Sequence, residues 1–133
     1  MPPDSPAAQD SETRPRRVLV VEDEALVRLL VVQVLEEAGY AVREAAEARS
    51  ALELLRSGEF IDLVVTDVGR PGVNGKQLVD QARGLRPDLK ILFMTGYADS
   101  ALLDDVLPEG VDLITKPFDL DALAAKADAL LGL

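Results

Sequence analysis

The stretch Val18-Leu19-Val20-Val21-Glu22-Asp23 joins a short apolar run to two adjacent carboxylates, with a long helical pattern behind it. A β-branched run of that length reads as a buried strand that delivers acidic groups at its C-terminal end. Three later apolar runs end in the same manner. Residues 61–65 lead to Asp67, residues 91–94 to Thr95, and residues 111–115 to Lys116. If these runs are parallel strands of one sheet, three carboxylates, a hydroxyl and an ammonium meet at one edge. Such a cluster is a candidate phosphoryl-transfer site.

Outward from that stretch, short apolar runs alternate with longer segments of helical period, the pattern of βαβ units around a buried parallel sheet. Five strands and five helices are expected. Strands fall at 18–21, 41–44, 61–65, 91–94 and 111–115. The first helix spans about 24–38, closed by Gly39, and the second 47–57, closed by Gly58. The loop 67–75 is rich in turn formers, and Asn74 suits the N-cap of a third helix running to about Leu85. A short helix over 100–106 is the least specified element. The last helix takes Asp119 as N-cap, with Leu120, Leu123, Ala124, Ala127, Leu130 and Leu131 as its buried stripe.

At 133 residues the chain is one domain's worth, long enough for a single core. Residues 1–15 hold four of the eight prolines and almost no large apolar side chain, so a disordered lead is expected there, with the folded domain over 16–133. Cysteine and histidine are absent, which excludes disulfides, thiolate metal sites and Ser-His-Asp catalysis. The net charge of −10 belongs to the folded part, because over the first seventeen residues Asp4, Asp10 and Glu12 cancel Arg14, Arg16 and Arg17. An acidic surface repels nucleic-acid phosphates and anionic lipid heads, so neither is expected as a partner. The start has no basic n-region or apolar h-region, and no run is long enough to span a bilayer, so a cytoplasmic location is expected.

Carboxylates gathered at a sheet edge repel one another unless a cation lies between them or their pKa values rise. Mg2+ suits an all-oxygen set, with Asp23 and Asp67 as direct ligands and Glu22 binding directly or through water. Asp67 follows the most buried strand and precedes a glycine-rich loop, which makes it the best nucleophile for an aspartyl phosphate; Lys116 and Thr95 would then bind phosphoryl oxygens. Each residue also has a plainer reading. Glu22, Asp23 and Glu24 could serve only a helix N-terminus, Asp67 a loop cap, Thr95 a strand end, and Lys116 a solvated loop. The conjunction of four strand ends, each bearing the required group, favours the chemical reading.

These motifs resemble the receiver domain of two-component response regulators, like the single-domain chemotaxis regulator, over roughly residues 17–131. The acidic pair Glu22-Asp23, the acceptor Asp67 with Pro71 and Gly75 beyond it, Thr95-Gly96, and Lys116-Pro117-Phe118 carry the likeness. The resemblance implies a flavodoxin-like (βα)5 fold with strand order 2-1-3-4-5. It implies Mg2+-dependent transfer to Asp67 from a phosphohistidine on a histidine kinase or histidine phosphotransfer protein. It also implies slow self-catalysed hydrolysis, with no other enzymatic activity. By the same analogy the Gly69 carbonyl joins the metal ligands, and the peptide before Pro117 is cis. The signal would pass by protein contacts without an output domain, from a monomer or a phosphorylation-dependent dimer.

Three positions depart from the family pattern. Leu113 stands where the family often has an aromatic residue, so coupling of Thr95 to a swinging ring is in question there. Tyr97 could replace that ring and shield the aspartyl phosphate, and the run Phe93-Met94-Thr95-Gly96-Tyr97 resembles receivers that stand alone or are fused to hybrid kinases. Arg70 stands where Met or Leu is common. On the first helix, Leu26, Val27, Leu29, Leu30, Val31, Val32, Val34 and Leu35 nearly encircle the axis, which suits either a partner-docking patch or a deeply buried helix. Two other functions remain open. A metal-dependent phosphohydrolase would want an aspartate where Gly69 stands, and a phosphorylation-independent interaction module would keep the fold without the chemistry.

Overall fold

The computed structural model describes residues 15–67, 75–95, 109–116 and 119–132. Its elements are β1 (Arg17–Val21), α1 (Ala25–Glu37), β2 (Ala41–Ala45), α2 (Ala48–Arg56), β3 (Leu63–Asp67), α3 (Gly75–Leu85), β4 (Lys90–Thr95), β5 (Val111–Thr115) and α4 (Leu120–Leu130). The five strands form one sheet in the order β2-β1-β3-β4-β5, every neighbouring pair parallel. This is the expected topology. Among the described residues no helix is long and apolar enough to cross a membrane.

Strand alternation divides the core into two layers. Leu19, Val21, Val64, Ile91 and Phe93 face one side, where Ala51, Leu52 and Leu55 of α2 and Leu78, Val79 and Ala82 of α3 pack on them. Val18, Val20, Leu63, Val65, Leu92, Met94 and Ile114 face the other, under Val31, Val32 and Leu35 of α1 and Leu123 and Ala127 of α4. Both faces are covered, so β3 is buried at every position and opens on the unbroken apolar run Leu63-Val64-Val65. Leu113 packs against the first layer.

Helix α1 ends as its sequence suggests. The Gly39 N–H donates to the Glu36 carbonyl and the Tyr40 N–H to the Leu35 carbonyl, each at 3.0 Å, with Gly39 at φ +101°. These two bonds form a Schellman motif, and its apolar contact is supplied by Leu35 and Tyr40, both in the second core layer. The Tyr40 hydroxyl donates to the Asp128 carboxylate, which ties this corner to α4.

Several boundaries differ from the sequence reading. The third strand starts at Leu63 and includes Asp67, not 61–65. Ile61 is buried but precedes the strand, because Asp62 is occupied in an exchange with the start of β1: its N–H donates to the Arg17 carbonyl and its carboxylate accepts from the Arg17 N–H. In α4 only Leu123 and Ala127 are fully buried and Leu120 is exposed, so the buried stripe is narrower than the spacing implied. Asp119 is the N-cap expected, accepting from the Asp121 N–H at 2.9 Å. The lead over 1–14, Gly69, Arg70, Pro71, the Asn74 cap, Tyr97, the helix expected at 100–106 and the peptide at Pro117 lie outside the described residues.

Candidate functional site: an acidic cluster at the carboxyl edge of the sheet

Parallel register brings the expected residues to one edge. Val21 pairs with Thr66, so Glu22, one step beyond β1, lies level with Asp67 at the end of β3. Asp67 pairs with Met94, Thr95 with Thr115, and Lys116 follows directly. The backbone N–H of Lys116 donates to the Thr95 carbonyl at 2.6 Å, which fixes the end of β5 against that of β4.

The side chains converge as the register requires. Lys116 Nζ donates to Asp67 Oδ1 at 2.8 Å and lies 3.6 Å from Glu22 Oε1. Carboxylate oxygens of Glu22, Asp23 and Asp67 all lie within 4.8 Å of one another. Glu22 is completely buried, Asp67 nearly so, and Asp23 is exposed at the mouth. The Thr66 hydroxyl donates to the Asp67 carbonyl at 3.1 Å and steadies the strand end.

Burial without enough countercharge raises the Glu22 carboxyl well above the usual carboxylate range. Desolvation is the main cause, the Asp67 carboxyl beside it adds to the rise, and the Glu24 N–H opposes it by donating to Glu22 Oε2 at 2.9 Å. Three crowded hard-oxygen donors, one of them buried where its charge is disfavoured, are what a small divalent cation relieves. The set therefore fits Mg2+. Thr95 Oγ1 is fully buried and has no hydrogen-bond partner among the described residues, as suits a hydroxyl held for an incoming oxygen. Gly69, the fourth expected ligand, lies outside the described residues.

Two residues at this edge escaped the sequence reading. Arg28 of α1 donates from Nη1 to the Glu22 carbonyl at 2.6 Å and from Nε to Glu44 Oε1 at 3.2 Å. The signal that could have found it is a cation within an apolar helix, three, four and seven residues before Val31, Val32 and Leu35. Glu44, at the end of β2, carries no such signal, because only the fold sets it beside α1.

Fold and site together define a doubly wound α/β protein with a cation-suited acidic cluster and a lysine at its carboxyl edge. The family model for the response regulator receiver domain matches residues 18–128. The chain is 37% identical over 117 residues to the response regulator receiver protein CpdR of Brucella abortus, covering 87% of this chain and 97% of CpdR. It is 38% identical over 116 residues to the sensor kinase CckA of the same organism, where the match covers 86% of this chain but only 12% of CckA. Among solved structures, a response regulator receiver protein from Sinorhizobium medicae aligns with a TM-score of 0.80 at 30% identity, over 90% of this chain and 96% of that one. The receiver domain of the hybrid histidine kinase CckA aligns at 0.72 and 33% identity, over 86% and 98%. The chain belongs to the receiver domain family of two-component signalling. Members of that family generally bind Mg2+ and interact with histidine kinases or phosphotransfer proteins.

Proposed function

We propose that the chain accepts a phosphoryl group from a phosphohistidine onto Asp67. The observation that carries this reading is the Lys116 ammonium, 2.8 Å from Asp67 Oδ1, at an edge where Glu22 and Asp23 complete an acidic cluster. A carboxylate oxygen of Asp67 attacks phosphorus, the P–N bond to imidazole breaks as the P–O bond forms, and the pair of electrons leaves with the ring nitrogen. Lys116 moves from the carboxylate toward the phosphoryl oxygens, whose charge its ammonium offsets, and the Thr95 hydroxyl donates to another of them. Glu22, Asp23 and Asp67 would hold Mg2+, with the Gly69 carbonyl as a further ligand by family analogy. When bound, the metal supplies a fixed positive charge for the phosphoryl oxygens. Hydrolysis of the aspartyl phosphate by the same residues returns the resting state, and no further enzymatic activity is proposed.

The partner surface is read from α1. Leu26, Leu29 and Leu30 are exposed, while Val31, Val32 and Leu35 are buried, which sets aside the deeply buried helix and supports a docking patch for a histidine kinase or phosphotransfer protein. Intact-mass measurement after incubation with phosphoramidate and Mg2+ tests the chemistry. A metal-dependent gain of one phosphoryl group that disappears in Asp67→Asn is the expected result. No gain in the folded wild type would leave a phosphorylation-independent interaction module.

A further inference from the structure

Arg28 stands where two local rules call for a different residue. Val31, Val32 and Leu35 are the buried residues of α1, and position 28 precedes them by three, four and seven, on the same stripe. Packing alone would put an aliphatic side chain there. Arg28 also lies one turn beyond Glu24, the N-cap, where the positive end of the helix dipole disfavours a cation. Its side chain is nevertheless only 21% exposed, with Nε donating to Glu44 and Nη1 to the Glu22 carbonyl. A residue that breaks the stripe and the dipole rule together has its reason outside the helix.

That reason is visible in how Glu22 is held. Its N–H donates to the Ala45 carbonyl at 3.0 Å and its Oε2 accepts from the Glu24 N–H at 2.9 Å. Its carbonyl accepts from Arg28 at 2.6 Å. The peptide between Glu22 and Asp23 carries the Asp23 Cα, so its rotation would swing the exposed Asp23 carboxylate away from Glu22 and Asp67. A charge-assisted bond to that peptide's oxygen resists the rotation. Glu44 takes the same guanidinium from the end of β2 and aims it.

We propose that Arg28 is a positioning residue that holds the turn between β1 and α1 in the shape that presents Glu22 and Asp23 to a divalent cation, with Glu44 as its anchor. The inference rests on the reading of this edge as a magnesium site.

The test is calorimetric titration of the unphosphorylated protein with MgCl2, beside thermal unfolding in a chelator. Arg28→Met keeps an unbranched side chain on the stripe and removes both bonds. It is expected to weaken magnesium binding about tenfold or more, as loss of an outer-shell partner does, while the metal-free unfolding temperature stays level or rises. Arg28→Lys, which keeps one charged donor, should recover part of the affinity, and Glu44→Gln should fall between Met and wild type. In phosphoramidate labelling, the half-saturating magnesium concentration should rise by the same factor as the dissociation constant. Wild-type affinity in folded Arg28→Met would overturn the proposal. So would an affinity loss that tracks a lower metal-free unfolding temperature and is not recovered by lysine. Should the Met variant not fold, unchanged affinity in both Arg28→Lys and Glu44→Gln would overturn it. Failure of the wild type itself to bind magnesium would instead remove the site reading beneath it, a separate and distinguishable result.

Discussion

The acidic edge stores unfavourable charge in the metal-free protein, and Glu22 is where that shows. It binds its proton more tightly folded than unfolded. Its contribution to stability is therefore full below the ordinary carboxyl value of 4.5 and is lost as pH rises from there through the raised folded value. Urea unfolding of the metal-free protein should show a midpoint that falls across this window, and Glu22→Gln should remove the fall. Asp67 is the acidic group beside Glu22, and Lys116 Nζ also lies 3.6 Å from Glu22 Oε1, a second carboxyl for it to pair with when Asp67 is neutralised. Asp67→Asn should accordingly stabilise the metal-free protein by about 1 kcal/mol while abolishing phosphorylation, as urea denaturation and intact mass would read. Asp67, Lys116 and the acidic pair Glu22-Asp23 were legible as residue types at strand ends. Arg28 was not, because a lone arginine in a helix looks like surface until its neighbours at Val31 and Val32 prove to be core.

At the scale of elements, α1 carries both a core duty and an outward one. Gly39 adopts φ +101° at the end of the helix, with open space where a Cβ would go. Gly39→Ala should cost about 1 kcal/mol, from backbone strain alone, in equilibrium denaturation. Leu35→Ala, on the buried face, should cost about 3 kcal/mol. Leu26 is 69% exposed, so Leu26→Glu should leave unfolding unchanged yet slow phosphotransfer from a cognate kinase, with labelling by phosphoramidate unaffected. Strand and helix types followed from periodicity, and the end of α1 from a single glycine, while the Schellman bonds there are seen only in the structure. The start of β3 did not, because Asp62 pairs with the backbone of Arg17, a partner 45 residues away.

For the whole molecule, the two core layers meet on a single sheet, so unfolding should be one cooperative transition. Magnesium at ten times its dissociation constant should add about 1.4 kcal/mol, and a chelator should reverse the gain in a thermal shift assay. By itself the sequence determined the parallel α/β class, the strand ends that carry Glu22, Asp67, Thr95 and Lys116, and the exclusion of thiol and histidine chemistry. Those follow from local periodicity and composition, which need no long-range contact. Only the tertiary structure decided that Glu22 is wholly buried beside Asp67, that Leu26, Leu29 and Leu30 face outward, and that Arg28 reaches the Glu22 carbonyl. Burial and proximity arise from packing β1, β2 and α1 together, and no single stretch of chain encodes the distance between residues that meet only when the sheet is assembled.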